Sequence, residues 1–121
     1  MGKVRAYKFD DVFDENADQI KIFNTCAKDL VDGCFEGYNA TILAYGQTSS
    51  GKTYTMGSYH KYDTKKEDLG IIPRVIGRIF EKIQEQKLKS EFILKVNFIE
   101  IYNGEIIDLL GDNIILSSRR I

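Results

Sequence analysis

A short glycine-rich segment near the middle of the chain carries the residues best suited to chemistry. It matches the pattern G-x-x-x-x-G-K-[ST], in which two glycines, a lysine and a hydroxyl residue stand at fixed spacing. Its residues are Gly46, Gln47, Thr48, Ser49, Ser50, Gly51, Lys52 and Thr53. The backbone N–H groups of such a loop point inward and form a concave site for an anion. The pattern therefore predicts binding of a phosphate group.

Each fixed position of this loop has its own physical task. Gly46 lets the chain leave a strand sharply, and Gly51 lets the backbone approach a phosphate without a Cβ clash. The helix that follows adds the positive end of its dipole. Lys52 places a cation near the terminal phosphates, and Thr53 offers a hydroxyl to Mg²⁺. The alternative interpretation is a Gly/Ser-rich turn with an incidental lysine.

The elements around the loop are predicted to be a strand before it and a helix after it. Residues 40–45 are almost entirely apolar and end at a glycine, which is typical of a buried strand in a parallel sheet. Residues 52–56 begin a helix. A longer helix precedes the strand, capped by Asp18 or Asn16 and stopped by Gly37. Its predicted apolar face consists of Ile20, Phe23, Ala27, Leu30, Val31 and Cys34.

The segments on either side extend this alternation of strands and helices. Residues 4–10 predict a short strand, and residues 57–70 predict an exposed loop. Pro73 fits the first turn of a further helix, where its missing N–H does no harm. The apolar stripe of that helix consists of Ile72, Val75, Ile76, Ile79, Phe80 and Ile83.

The last part of the chain predicts a hairpin. A long strand over residues 91–101 and a short one over residues 106–110 are expected to pair antiparallel. Asn103 and Gly104 lie between them, and Asn-Gly is a strong signal for a tight hairpin turn. The order of elements as a whole indicates an α/β fold.

Composition places the chain among soluble globular domains. Its 121 residues have the length of one ordinary domain, with 43% hydrophobic and 29% charged residues, which argues against intrinsic disorder. The net charge of −1 does not suggest a polybasic nucleic-acid or membrane binder. No apolar run approaches the roughly 20 residues of a membrane-spanning helix, and no secretory signal is visible.

The two cysteines are not expected to bridge each other. Cys26 and Cys34 lie within the same predicted helix, where their spacing spans about 12 Å. Disulfide Cα atoms lie within roughly 7 Å. We therefore expect two reduced thiols in or near the core of a cytosolic protein. Together with the lone His60 they are too few for a metal site.

A complete phosphate-loop NTPase also needs an acidic residue that holds Mg²⁺ and a residue that orients the attacking water. Glu100 and Asp108, each after two apolar residues, are the candidates for the acid. Neither follows four consecutive apolar residues, so solvated strand ends are the preferred interpretation. The catalytic residue is therefore left unassigned.

The loop and its surroundings resemble the kinesin motor domain. Residues 45–57, Tyr-Gly-Gln-Thr-Ser-Ser-Gly-Lys-Thr-Tyr-Thr-Met-Gly, are similar to the phosphate-loop (Walker A) signature of that family. Four further segments resemble family motifs in family order: residues 9–14, 37–42, 70–74, and 98–103 with 108–110. We therefore identify residues 1–110 as a partial kinesin motor domain and leave residues 111–121 as an unassigned tail.

The resemblance implies a P-loop NTPase-like α/β fold with a partial central β-sheet flanked by helices. It implies a cytoplasmic, cytoskeletal motor that binds ATP and Mg²⁺ and moves along microtubules, with tubulin as partner and neither nucleic acid nor membrane. By position, residues 46–53 hold the phosphates, Lys52 contacts the β- and γ-phosphates, Thr53 binds Mg²⁺ and Tyr54 faces adenine. The other interpretation of Tyr54 is a ring that packs on the loop. His60 falls in the loop that flanks the nucleotide pocket in the family, where a solvated loop is the simpler interpretation.

Several family motifs are missing or altered. Nothing before Val4 supplies the Arg-x-Arg-Pro-like adenine contact, and the switch II pattern Asp-Leu-Ala-Gly-x-Glu is not present. Residues 113–119 resemble switch I, Asn-x-x-Ser-Ser-Arg, but their gap is one residue too long, so we interpret the match as coincidence. We expect an N-terminal portion of a motor domain that binds nucleotide without turnover. The alternative is a self-associating fragment, because unpaired sheet edges invite association.

Overall fold

The computed structural model describes residues 5–57 and 64–111 in full and residues 115–116 as backbone. The chain falls into two compact units, residues 1–89 and 90–121. The described helices are α1 (Gln19–Cys26), α2 (Lys28–Cys34), α3 (Lys52–Met56) and α4 (Ile71–Gln86), all in the first unit. The described strands are β1 (Ile99–Tyr102), β2 (Glu105–Asp108) and β3 (Ile115–Leu116), all in the second unit. His60 lies outside the described residues, and so do residues 113, 114 and 117–119 of the switch-I-like segment 113–119.

The predicted helix from Asp18 is present but divided at Ala27 into α1 and α2. Asp18 is the cap, because its Oδ1 accepts a hydrogen bond from the Lys21 N–H at 2.6 Å. Ala27 has φ −126°, away from the helical value. Its N–H still donates to the Phe23 carbonyl at 2.9 Å, and its carbonyl accepts from the Val31 N–H at 3.1 Å. The two helices therefore continue one hydrogen-bonded path through the break.

The end of α2 confirms the prediction made for Gly37. This residue adopts φ +97°, the left-handed conformation that glycine reaches without a Cβ penalty. The N–H of Gly37 donates to the Cys34 carbonyl and the N–H of Tyr38 to the Gly33 carbonyl, each at 3.1 Å. This pair of bonds is the Schellman motif, which satisfies carbonyls at a helix end.

The core of the first unit forms where α1 meets α4. Buried Phe23, Ala27 and Ile71 form its centre. The half-buried residues packed around them are Ile22, Ile42, Met56 and Val75. Part of the predicted apolar face is left uncovered, because Ile20 and Leu30 are exposed among the described residues.

Neither cysteine is buried, although both were expected in or near the core. Cys26 and Cys34 are free thiols, as expected, but both are exposed. Helical spacing predicts which residues share a helix face with Cys26 and Cys34. The spacing does not predict how far the core extends across that face.

Helix α4 begins as predicted, with Pro73 in its first turn after the N-cap residue Gly70. In the described part of the predicted loop, residues 65–68 are exposed, as predicted, whereas Gly57 and Gly70 at its two ends are buried. Lys66–Asp68 forms a 3₁₀ turn. The Arg74 guanidinium donates to the carbonyls of Lys66, Glu67 and Leu69 at 3.1, 2.9 and 2.8 Å. This side chain fixes the turn to the start of α4.

The strand predicted over residues 40–45 is not formed. These residues belong to no hydrogen-bonded strand, and Leu43 and Tyr45 are 84% and 96% exposed. Residues 5–10 and 91–98 likewise form no strand. A strand needs at least one hydrogen-bonded neighbouring strand, and the described residues place none beside this segment. Ile42 alone of this segment packs against the core.

The predicted hairpin is present in the second unit. Asn103 and Gly104 have φ +50° and +82°, the pair of positive values that a type I′ turn requires. The pairing of Tyr102 with Glu105 confirms the two-residue loop. Strand β3 adds to β2 from within the tail, with Ile106 opposite Leu116.

An ion pair joins α2 to α4. The Arg78 guanidinium makes two hydrogen bonds to the Asp32 carboxylate, both at 2.8 Å. The two side chains are only 19% and 28% exposed. The hydrogen bonds from Arg78 hold the pKa of Asp32 below its ordinary value of 3.8. Bidentate pairing of this kind is more specific than ordinary surface ion pairs.

Acid is therefore expected to weaken the contact between α2 and α4. Because the folded pKa of Asp32 is lowered, its ionised form stabilises the fold above about pH 4, and this contribution is lost as the pH falls through the lowered pKa. The urea midpoint should drop over that range in the native chain. Asp32→Asn should flatten this part of the profile, whereas Asp29→Asn, an exposed carboxylate on the same helix, should leave it unchanged. Identical acid profiles for the native chain and Asp32→Asn would contradict this assignment.

Among the residues that the structure describes, no helix combines the length and apolar character needed to cross a membrane.

Candidate phosphate-binding site

The predicted phosphate loop connects the extended residues 40–45 to α3. Within it, the Ser50 N–H donates to the Gln47 carbonyl at 3.3 Å, which closes a tight turn. Ser49 and Gly51 adopt positive φ values of 63° and 89°. The first bond of α3 runs from the Thr55 N–H to the Gly51 carbonyl at 2.9 Å. The chain therefore passes from a closed turn directly into a helix.

Each of the two glycines in the pattern has a structural role within the loop, and the predicted approach of Gly51 to a phosphate stays a prediction. A Cβ on Gly46 would lie 2.5 Å from the Ser50 Oγ, so the space for a side chain is already filled. A Cβ on Gly51 would meet nothing within 4 Å, but its φ of +89° favours glycine. Gly46 thus permits close packing inside the loop, and Gly51 permits the left-handed turn into α3.

The Lys52 side chain folds back over the loop. Its Nζ donates to the Gly46 carbonyl at 2.8 Å and to the Gln47 carbonyl at 2.6 Å. An ammonium group has three donors, so one remains for another acceptor. The geometry therefore holds a cation against the loop that is predicted to receive phosphate.

Thr53 and Tyr54 follow Lys52 in the first turn of α3. Both residues are exposed, and the Tyr54 side chain is 64% accessible. The first N–H groups of a helix have no intrahelical acceptor. The loop thus offers free backbone donors, the Lys52 cation and the Thr53 hydroxyl on one short stretch. This donor set suits the phosphates of a nucleotide.

The residues present fit Mg²⁺ only when it arrives with a phosphate ligand. Among the described residues, no group of three or more His, Cys, Asp or Glu side chains could hold a metal ion. Mg²⁺ usually keeps several waters and binds through one or two protein ligands plus substrate phosphates. Thr53 can supply one such ligand, so the donor set suits a nucleotide-bound ion.

The two candidate acidic residues lie on the hairpin of the second unit. Glu100 is exposed in β1, and Asp108 is half-buried in β2. The Asp108 Oδ1 accepts a hydrogen bond from the Leu110 N–H at 3.0 Å. This bond gives Asp108 a local structural role at the end of β2.

Two supports of α3 were missed by sequence reasoning. The first is Gln19, whose Nε2 donates to the Tyr54 carbonyl at 2.8 Å. Gln19 stands four residues before Phe23 on the buried face of α1, and a polar residue in that position was an available signal. The second is the close approach of Gly57 and Gly70, which no local pattern indicates because the two glycines are distant in sequence.

Comparisons of the sequence agree with the resemblance seen in the loop. The family model described as the kinesin motor domain matches residues 1–120. The mouse kinesin-like protein KIF21B is 48% identical over 117 residues, which cover 90% of this chain and 7% of that protein. Kinesin-related protein 8 of Dictyostelium discoideum is 51% identical over 107 residues, covering 88% of this chain and 6% of that protein. The chain thus spans less than a tenth of these relatives.

Solved structures agree with the fold. Drosophila Kin10/NOD in complex with divalent manganese and ADP has a TM-score of 0.78 and 40% identity. The match covers 86% of this chain and 36% of that chain. NOD in complex with AMPPNP matches with the same values. The architecture is therefore that of a partial kinesin motor fold, and this chain belongs to the kinesin motor domain family.

Proposed function

We propose that this chain is a nucleotide-binding segment of a kinesin-type microtubule motor. In this proposal residues 46–53 hold the phosphates of Mg·ATP, and Tyr54 lies against the adenine ring. The single observation that carries it is the position of Lys52, whose Nζ is held at 2.8 and 2.6 Å by carbonyls of the loop itself. The division into a motor portion, residues 1–110, and a tail, residues 111–121, stays a prediction.

In the proposed binding mode, the chain's own groups contact both the phosphates and the metal ion. Backbone N–H groups and the Lys52 ammonium stabilise phosphate charge, and Thr53 provides an oxygen ligand to the metal. Bound Mg²⁺ would neutralise part of the charge on the phosphates. Family membership and the nucleotide complexes of NOD support this mode.

Movement along microtubules, cytoplasmic location and ATP hydrolysis are proposed for the motor to which this segment belongs. One matched structure is Drosophila NOD docked with bovine tubulin into a cryo-EM map of nucleotide-free NOD complexed to the microtubule. The switch motifs that position the attacking water were not found in this sequence. We therefore propose nucleotide binding for the segment and hydrolysis for the motor as a whole.

Calorimetric titration of the 121-residue chain with Mg·ATP tests the proposal. We expect saturable binding with a stoichiometry near one, and weaker binding in excess EDTA because the metal no longer bridges Thr53 and the phosphates. Absence of any binding heat from a chain that is folded by circular dichroism would contradict the proposal.

The Thr53 hydroxyl is expected to matter only when the metal is present. Thr53→Ala should weaken Mg·ATP binding about tenfold, the equivalent of one lost polar contact to a charged group. Thr53→Ser keeps the hydroxyl and should bind like the native chain. In EDTA, all three proteins should have similar affinities. Equal affinities in Mg²⁺ would show that Thr53 is not a metal ligand.

Self-association is the second candidate function, and one feature of the first unit favours it. An apolar groove of about 280 Å³ lies between α2 and α4 and is lined in part by Leu30, Cys34, Ile72, Ile76 and Ile79. Exposed apolar surface of this kind promotes contacts between molecules. Analytical ultracentrifugation separates the two candidates: a monomer favours the nucleotide-binding segment, and a concentration-dependent oligomer favours self-association.

A further inference from the structure

Gln19 makes a buried contact with the helix that follows the phosphate loop. The residue is only 3% exposed at the start of α1. Its Nε2 donates to the Tyr54 carbonyl of α3 at 2.8 Å, across 35 positions of sequence. Its Oε1 is buried and has no hydrogen-bond partner within the described part of the chain. A buried amide oxygen without a donor costs free energy of folding, so the position of this side chain needs a physical explanation.

The orientation of this amide is fixed by its partner. A backbone carbonyl can only accept, so the amide nitrogen of Gln19 must face Tyr54. The opposite orientation would place two acceptor oxygens against each other. The contact with the Tyr54 carbonyl is therefore kept, while no described residue offers Oε1 a donor.

The carbonyl of Tyr54 needs a donor from outside its own helix. The last four carbonyls of a helix have no intrahelical partner, and α3 ends at Met56. The Gly57 N–H is already used by the Thr53 carbonyl at 2.8 Å. The Gln19 amide supplies the missing donor, so it closes the end of α3 in the way that a side-chain cap does.

Helix α3 depends on such external contacts because it is short. It has five residues, and helices of this length are marginal without tertiary support. Lys52 and Thr53, the proposed phosphate and metal contacts, stand in its first turn. Any shift of α3 along or around its axis would therefore move both side chains relative to the loop.

We propose that Gln19 is a positioning residue for the phosphate loop. Its side-chain amide anchors the end of α3 to α1 and thereby fixes where Lys52 and Thr53 lie. The consequence for nucleotide affinity rests on the proposed function, whereas the anchoring of α3 can be measured without nucleotide. Gln19 itself is not expected to touch the nucleotide.

Hydrogen exchange of the nucleotide-free chain tests the anchoring directly. Gln19→Leu removes the donor and also the unsatisfied oxygen, so the global fold should lose little. The Thr55 and Gly57 amides, which bond within α3, should exchange about tenfold faster, the equivalent of one hydrogen bond. The Val31 amide in α2 should exchange as in the native chain. Unchanged exchange at Thr55 and Gly57 would overturn the proposal.

Two further variants separate anchoring from general stability. Gln19→Met matches the length of glutamine without its donor and should reproduce the local effect if Gln19→Leu does not fold. Asp18→Ala removes the cap of α1 next to Gln19 but keeps the contact to Tyr54, so α3 exchange should stay near native. A parallel loss of protection across α1, α3 and α4 in the Gln19 variants would assign a general structural role and overturn the proposal.

Nucleotide titration completes the test. If the native chain binds Mg·ATP, Gln19→Leu should bind about tenfold more weakly, by the same loss of one hydrogen bond acting through α3. Native-like affinity in Gln19→Leu, with binding lost in Lys52→Ala, would overturn the positioning role and leave the proposed function intact. If the native chain does not bind, the proposed function fails, and the exchange rates of α3 alone decide the role of Gln19.

Discussion

Lys52→Ala is expected to weaken Mg·ATP binding at least about 100-fold, because it removes the charged donor of the loop. Hydrogen bonds from charged groups contribute about 1.5–3 kcal/mol each, and an ammonium can make more than one to phosphate oxygens. In the chain described here, this ammonium is held by two loop carbonyls at 2.8 and 2.6 Å. Its charge is therefore already in place when phosphate arrives. Titration calorimetry gives the ratio of affinities directly.

Matched variants make the Lys52 result specific. Lys52→Arg keeps the charge but replaces a compact ammonium with a planar fork, so we expect intermediate affinity. Lys87→Ala removes an exposed positive charge at the end of α4 and should bind like the native chain. Circular dichroism must show that each variant is folded. Undiminished affinity in folded Lys52→Ala would refute the assignment of the phosphate loop.

Gly70→Ala is expected to destabilise the fold by about 3 kcal/mol, the upper range for overpacking. The new Cβ would lie 2.6 Å from the Thr55 carbonyl oxygen and in closer conflict with the backbone of Gly57. These neighbours are backbone atoms, so they cannot move aside as a flexible side chain can. The φ of Gly70 is −77°, which alanine adopts readily. The whole effect therefore reports the close approach between the end of α3 and the start of α4.

Gly77→Ala is the matched control on the same helix. A Cβ at this position would meet nothing within 4 Å, so alanine should stabilise α4 by up to about 1 kcal/mol. Urea denaturation should therefore show changes of opposite sign in the free energy of unfolding of the two variants. A similar small gain in both variants would show that Gly57 and Gly70 do not pack as the structure describes.

Features that depend on neighbouring residues along the chain could be predicted from the sequence. The cap at Asp18, the stop at Gly37 and the turn at Asn103-Gly104 each follow from the conformational preferences of one or two residues. The phosphate-loop pattern is local in the same sense. Its residues could be named from spacing alone, whereas the close packing of Gly46 against Ser50 depends on how the loop folds.

Features that depend on distant partners could not be predicted in this way. Residues 40–45 have the composition of a buried strand, but composition does not supply the neighbouring strands that hydrogen bonding requires. The contact of Gln19 with Tyr54 and the packing of Gly57 on Gly70 join segments that are separated by loops. Such contacts arise from tertiary structure, so a single sequence gives only weak signals for them.

Residues 46–53 are proposed to hold the phosphates of a nucleotide. Amide chemical shifts of the isotope-labelled chain, recorded during titration with Mg·ATP, test this proposal most directly because they report where the ligand binds. We expect saturable shifts concentrated on residues 46–53 and on the first turn of α3. Saturable shifts confined to other parts of the chain, with residues 46–53 unaffected, would contradict it.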